Sequence, residues 1–219
     1  MSVESNVIND IHEFGLNHDT RDIYLHSYVA NAEEDPGVDY RMASTFYKNI
    51  RLLDGLKNEP IVIHMHSVGG CWGDGMAIYD AIRMCRSHIT IIAYGQAESM
   101  SSIILQAADK RVMTMNAYFM CHYGNTMLLG NHLDVQKGAA FEKKITEVML
   151  DIYSDVCVHG SYFKEKYKDI TEEQVKNYLK RKLKDGDWYL DSNEAVYYGF
   201  ADHVLGTQRC PNLASLKGL

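Results

Sequence analysis

Ile61-Val-Ile-His-Met-His-Ser-Val-Gly-Gly-Cys-Trp-Gly-Asp-Gly75 runs from a β-branched stretch, through a Gly-Gly pair, into the start of a helix. Ile61–His66 (IVIHMH) reads as a buried strand that enters a tight turn at Gly69-Gly70. Gly73–Arg86 then places Met76, Ile78, Tyr79 and Ile82 inside at helical spacing. The plan repeats at once. Ile89–Tyr94 (ITIIAY) is a strand that Gly95 is expected to end, and Ser99–Ala108 is small and apolar, as a buried helix would be. Parallel strands need crossovers, so successive strand–turn–helix units predict an α/β domain with a mostly parallel sheet.

Working outward, Asp22–Ser27 is a short strand, Asn31–Asp39 a turn-rich acidic loop, and Tyr40–Leu56 an amphipathic helix on Met42, Phe46, Tyr47, Ile50 and Leu53. Downstream, Arg111–Met115 and Tyr118–Cys121 are short strands and Gly124–Asn131 is a loop. Asp134–Tyr167 is a long helical stretch with Gly160 as its expected break, and Thr171–Lys182 is a helix opened by Thr171. Trp188–Leu190 is a strand, Asp191 or Ser192 caps a brief helix that ends at Gly199, and Ala201–Leu205 closes the fold. A helix as long as the one before Gly160 exceeds what packing inside a compact domain requires, so it is expected to project or to touch a partner.

Composition bounds the function. With 219 residues, 46% of them hydrophobic, the chain can bury a sizeable core and is not disordered. A net charge of −7 argues against a general nucleic-acid binder, and no apolar run reaches membrane-spanning length. The N-terminus has no basic patch followed by an apolar block, so no secretory signal is expected. The five cysteines are widely spaced without a C-x-x-C pair, which speaks against a disulfide framework or zinc knuckle and suits a reducing cytosol. No H-E-x-x-H occurs, and His64 and His66 share one face of a strand.

Chemistry is expected at two strand-to-helix junctions, Ser67–Gly75 and Gly95–Ser102, because open α/β sheets bind ligands beyond the carboxyl ends of their strands. Helix N-termini there present free N–H groups suited to an anion, including the oxyanion formed when a nucleophile attacks an amide. The glycines match neither a phosphate loop nor a complete G-x-G-x-x-G, and there is no G-x-S-x-G elbow. A serine at the second junction could be a nucleophile if a base and an orienting acid reach it. His122 closes one short strand and Asp187 opens another, though spacing alone does not bring the three together. Each has an ordinary reading too: Ser99 as a helix cap, His122 as a packed strand-end residue, and Asp187 as one of several acids near Asp185, Asp191 and Asp202. Of these, Asp191 reads better as a cap and Asp202 as a turn or strand residue.

Several blocks together resemble the proteolytic subunit of the Clp protease. They are Ser67-Val-Gly-Gly70, Gly73-Asp-Gly-Met-Ala-Ile-Tyr-Asp80, Gly95-Gln-Ala-Glu-Ser-Met100, Met120-Cys-His122 and Asp187-Trp-Tyr-Leu-Asp-Ser-Asn-Glu-Ala-Val-Tyr-Tyr-Gly-Phe-Ala-Asp202. The resemblance runs from about Asp22 to Leu205. It implies a crotonase-like α/β fold, a mostly parallel sheet flanked by helices, with a protruding handle helix at about 124–168 within a peptidase domain at 21–206. An N-terminal segment at 1–20 and a tail at 207–219 flank that domain.

It implies a serine endopeptidase with Ser99 as nucleophile, His122 as general base and Asp187 as orienting acid. The backbone N–H groups of Gly70 and Met100 would form the oxyanion hole, and no metal or organic cofactor is needed. It also implies peptide and protein substrates and a cytoplasmic homo-oligomer, one heptameric ring or two stacked ones. A separate ATP-dependent unfoldase would feed it. Two other functions are compatible with the same residues: a crotonase-type acyl-coenzyme A enzyme, and a non-catalytic ring or scaffold subunit. The chain departs from the family at Glu98, where a small residue is usual, and at Tyr123-Gly124, where Gln-Pro is usual. Asn31–Tyr40 looks inserted, and Met1–Thr20 does not resemble the usual axial loop.

Overall fold

The computed structural model describes residues 3–26 and 37–218. Residues 31–36 of the acidic loop expected at Asn31–Asp39, and of the inserted stretch expected at Asn31–Tyr40, lie outside the described residues. In chain order the elements are α1 (Val3–Phe14), β1 (Leu16–Asn17), β2 (Asp22–His26), α2 (Tyr40–Leu56), β3 (Ile61–Ser67), α3 (Trp72–Arg83), β4 (Ile89–Glu98), α4 (Met100–Leu105), β5 (Lys110–Thr114), β6 (Tyr118–Cys121), α5 (His132–Cys157), α6 (Ser161–Lys166), α7 (Glu172–Leu183), β7 (Trp188–Asp191), α8 (Ser192–Tyr198) and β8 (His203–Leu205). A 3-10 turn at Leu213–Gly218 ends the described chain.

The sheet follows the order β1-β2-β3-β4-β5-β8, and every pair from β2 to β8 is parallel. β1 pairs antiparallel to β2, so Leu16 and Asn17 of the N-terminal segment join the sheet. β4 is the branch point. Its first half, Thr90–Ala93, pairs with β5, and its second half, Gln96–Glu98, pairs with β6, which in turn pairs antiparallel with β7.

This branching corrects the expectation that Gly95 ends the strand. Gly95 has φ 61°, a left-handed conformation that glycine adopts without a Cβ penalty. It bends β4 instead of stopping it, and the β3–β4 register slips there, from Met65↔Ala93 to Ser67↔Ala97. The His66 ring fills the space beside it, since a Cβ on Gly95 would lie 2.9 Å from two ring atoms. His66 Nδ1 is 2.8 Å from the Tyr94 carbonyl.

One core cluster joins Ile63, Met65 and Ile91 of the sheet to Phe46, Ile50 and Leu53 of α2, Ile78 of α3 and Ile104 of α4, all at most 2% exposed. Burying one such side chain contributes about 1.5–3 kcal/mol. Strand alternation sends Ile92 and Val112 to the other face. There Cys210 and Leu216 of the tail cover them, with Val62, Tyr94 and Leu205 at the margin.

α5 has 26 residues and is therefore about 39 Å long. Its buried residues are Met149, Leu150, Tyr153, Ser154 and Cys157, all in the last third, and the first part is mostly exposed, as a protruding handle would be. It begins two residues before the expected Asp134 because Asn131 caps it, accepting from the amides of Leu133 and Asp134. The helical stretch breaks at Val158–Gly160, and α6 restarts at Ser161. Glu147 fixes the handle root to α7, pairing with Lys176 at 2.8 Å and Lys180 at 2.9 Å. No described helix is long and apolar enough to cross a membrane.

Candidate active site

The second half of β4 and the two strands beyond it place the expected residues. Glu98 pairs with Met120 and Met120 with Tyr189. The next pair along β6 and β7 is Cys121↔Trp188, both buried, with Phe119↔Leu190 buried two residues earlier. Side chains alternate along a strand, so the following pair, His122 and Asp187, emerges on the opposite face from Cys121 and Trp188. That face is the one Ser99 reaches as β4 turns into α4. Register thus brings together residues far apart in the chain.

The contacts form one chain. His122 Nε2 is 2.8 Å from Ser99 Oγ, and His122 Nδ1 is 3.1 Å from Asp187 Oδ1. A carboxylate only accepts, so Asp187 fixes the proton on Nδ1 and leaves Nε2 to accept from the Ser99 hydroxyl. The His122 side chain is 19% exposed and that of Asp187 is 50% exposed.

Ser99 is the N-cap of α4 with φ 51° and ψ −123°, sparsely populated for a residue with a Cβ. Hydrogen bonds impose it. The Ser99 amide donates to the Met120 carbonyl at 2.9 Å, and the Ser99 carbonyl accepts from the Ser102 amide at 3.0 Å and the Ser102 hydroxyl at 2.6 Å. The Ser102 hydroxyl also lies 2.6 Å from the buried Tyr153 hydroxyl, tying the elbow to α5.

The glycine turn abuts this elbow. Ser67 Oγ accepts from Ser101 Oγ at 2.6 Å and from the Gly69 amide at 3.2 Å. A Cβ on Gly69 would sit 2.6 Å from Ser99 Cβ and 2.8 Å from the Met100 nitrogen, so only glycine allows this approach. Gly70 has φ 150° and makes a parallel bridge to Val38, in which the Val38 amide donates to Gly69 O and the Cys71 amide donates to Val38 O. The Gly70 N–H therefore faces away from Val38. Met100 opens α4, where the first amides have no partner within the helix. Neither the Gly70 nor the Met100 amide donates to a backbone acceptor among the described residues.

A cleft of about 510 Å³ opens beside Ser99 and His122. Trp72, Ile103, Ile145 and Met149 give it apolar walls, and Glu142 and Thr126 lie along it. Its shape and donors suit nucleophilic acyl transfer, with one activated hydroxyl and two amides that a developing oxyanion could meet.

The competing acids stand elsewhere. Asp191 caps α8, accepting from the Glu194 amide at 2.8 Å in a capping box, as the sequence indicates. Asp202 pairs with Arg111. Glu98 shares a face with Tyr189: burial first, then the Glu98 and Asp187 carboxylates, push the Tyr189 phenol up. Tyr123 donates from its hydroxyl to the Lys180 carbonyl at 3.2 Å. His64 is 3.0 Å from the Tyr94 hydroxyl and 3.5 Å from Asp22. Sequence reasoning missed Ser67, Ser101, Ser102 and Tyr153, whose support of the elbow depends on long-range contacts, and Glu142, one acid among many on a polar helix.

The Clp protease family model matches residues 34–208. The ATP-dependent Clp protease proteolytic subunit of Deinococcus radiodurans is 29% identical over 175 residues, covering 78% of each chain. That of Carsonella ruddii is 28% identical over 180 residues, covering 81% of this chain and 82% of its own. A solved point mutant of ClpP1 from Listeria monocytogenes shares the fold with a TM-score of 0.68 at 21% identity, over 87% of this chain and 94% of that one.

Proposed function

The chain belongs to the Clp protease family, and we propose that this serine-type endopeptidase works through Ser99, His122 and Asp187 and an oxyanion hole made by the amides of Gly70 and Met100. The contact chain Ser99–His122–Asp187, at 2.8 and 3.1 Å, is the observation that carries the assignment.

Ser99 Oγ attacks the peptide carbonyl while His122 Nε2 takes its proton. The oxyanion accepts from the two amides, each worth about 3–4 kcal/mol of transition-state stabilisation. The tetrahedral adduct then expels the amine, which takes the proton from His122 and leaves an acyl-serine. Water, deprotonated by His122, attacks this ester and releases Ser99. Throughout, Asp187 holds the imidazole in one tautomer and stabilises its cation.

A homo-oligomeric ring, a heptamer or two stacked heptamers, is proposed for the active form, fed by an ATP-dependent unfoldase. The long handle supports the first. The second is supported by relatives named as subunits of an ATP-dependent protease. A cytoplasmic setting suits the five cysteines, all of which are free.

The test is a fluorophosphonate probe and a fluorogenic peptide with the full chain. Ser99→Ala is expected to abolish labelling and lower kcat about 10⁴-fold or more. Peptide cleavage or labelling that survives in Ser99→Ala would remove the assignment.

A further inference from the structure

We propose that Glu142 makes the cleft select a lysine or arginine side chain, apolar along its stem and cationic at its tip, at the substrate residue whose carbonyl Ser99 attacks. The inference rests on Ser99 being the nucleophile and names the substrate preference of that site.

The lining of the cleft beside Ser99 combines apolar side chains with one acid, Glu142. Trp72, Ile103, Ile145 and Met149 line it together with Ser99 and Met100. Along α5 the lining residues Met149, Ile145 and Glu142 follow the helical repeat and share one face. From Met149 to Glu142 the helix rises about 10 Å, too far for a short side chain seated at Ser99 to fill.

Glu142 is half-buried and accepts from the Thr126 hydroxyl at 3.0 Å. It forms no ion pair with a lysine or arginine among the described residues, whereas Glu147, further along the same helix, pairs with two lysines. A carboxylate in a cleft with apolar side chains favours a cation that can lay its methylene stem against them and meet the charge with a charge-assisted hydrogen bond. An acidic side chain would meet repulsion there, and an apolar one would leave the carboxylate without a counter-charge.

Peptides alike except for arginine, lysine, norleucine or glutamate at this position give the test on the full-length protein. Arginine and lysine peptides are expected to have the highest kcat/KM and the glutamate peptide the lowest. Glu142→Gln keeps an acceptor for Thr126 and should lower the arginine-to-norleucine ratio about tenfold. Glu142→Lys should reverse the order of the arginine and glutamate peptides, which loss of structure alone would not do. An arginine-to-norleucine ratio unchanged in Glu142→Gln overturns the proposal.

Fluorescence anisotropy of the same peptides on Ser99→Ala reads binding without turnover, so the preference is measured whether or not Ser99 is the nucleophile. Weaker arginine-peptide binding on adding Glu142→Gln supports it. Equal affinity for the arginine and norleucine peptides overturns it.

Discussion

Ser99 holds a conformation that costs on the order of 1–3 kcal/mol, and several hydrogen bonds converge on it to keep it there. The strain has a purpose: it turns the hydroxyl toward His122 while the next amide, of Met100, stays free. Other residues are tuned for stability alone. Burial works to raise the Asp54 pKa, but hydrogen bonds from the Ser87 amide and hydroxyl and from the Arg86 amide outweigh it and hold the carboxyl below its usual value. A depressed folded pKa contributes stability above the unfolded pKa and loses it as pH falls through the folded one. Asp54→Asn is therefore expected to cost about 1–3 kcal/mol in urea melts at pH 7. The difference from the parent should shrink as pH drops below about 4. A difference that grows in acid would contradict this account. The thiols separate by burial as well: Cys85 is pushed up to about 11 by desolvation, and Cys121 higher still.

At the scale of elements, β4 does two jobs because Gly95 bends it. The first half builds the central sheet, and the second half delivers Ser99 to β6. Gly95→Ala would place a Cβ at φ 61° and 2.9 Å from the His66 ring, whose Nδ1 contacts the Tyr94 carbonyl. A loss of about 2–3 kcal/mol is expected by thermal or urea unfolding, from the left-handed penalty and the clash together. Fluorophosphonate labelling should fall more than the folded fraction does, because the bend positions Ser99. Unchanged stability and labelling would show that the bend carries no such constraint. The two junctions that hold the site were legible because a strand running through glycines into a helix is a local signal, while the choice of Ser99 among Ser99, Ser101 and Ser102, and of Gly70, came from the resemblance alone. The bend was not legible, because a glycine after a β-branched run signals an end as readily as a turn within a strand, and only the pairing of Gln96–Glu98 with β6 decides between them.

For the whole molecule, the handle and the loop before it carry apolar side chains that the described fold leaves in water. Met127 is 85% exposed and Leu129 87%, with Leu133 and Phe141 also exposed. Such a surface suits contact with further copies of the chain. Leu129→Asp with Phe141→Asp is expected to reduce the mass measured by light scattering and to lower peptidase activity while leaving the circular dichroism of the subunit intact. An unchanged mass would show that this surface does not hold copies of the chain together. The N-terminal α1 and β1 escaped the sequence reading. β1 is two residues long and exists only because β2 offers it an edge.

By itself the sequence determined the strand and helix periodicities, the glycine turns, the presence of a long helix after His122 and the residue types available for acyl transfer, because these depend on neighbours along the chain. Only the tertiary structure decided that Asp187 and not Asp185, Asp191 or Asp202 meets His122, that Gly70 turns its amide away from Val38, and that Glu142 lines the cleft beside Ser99. Those outcomes depend on strand register and helix packing across long separations, where one residue of slip would send His122 into the core and Cys121 to the site.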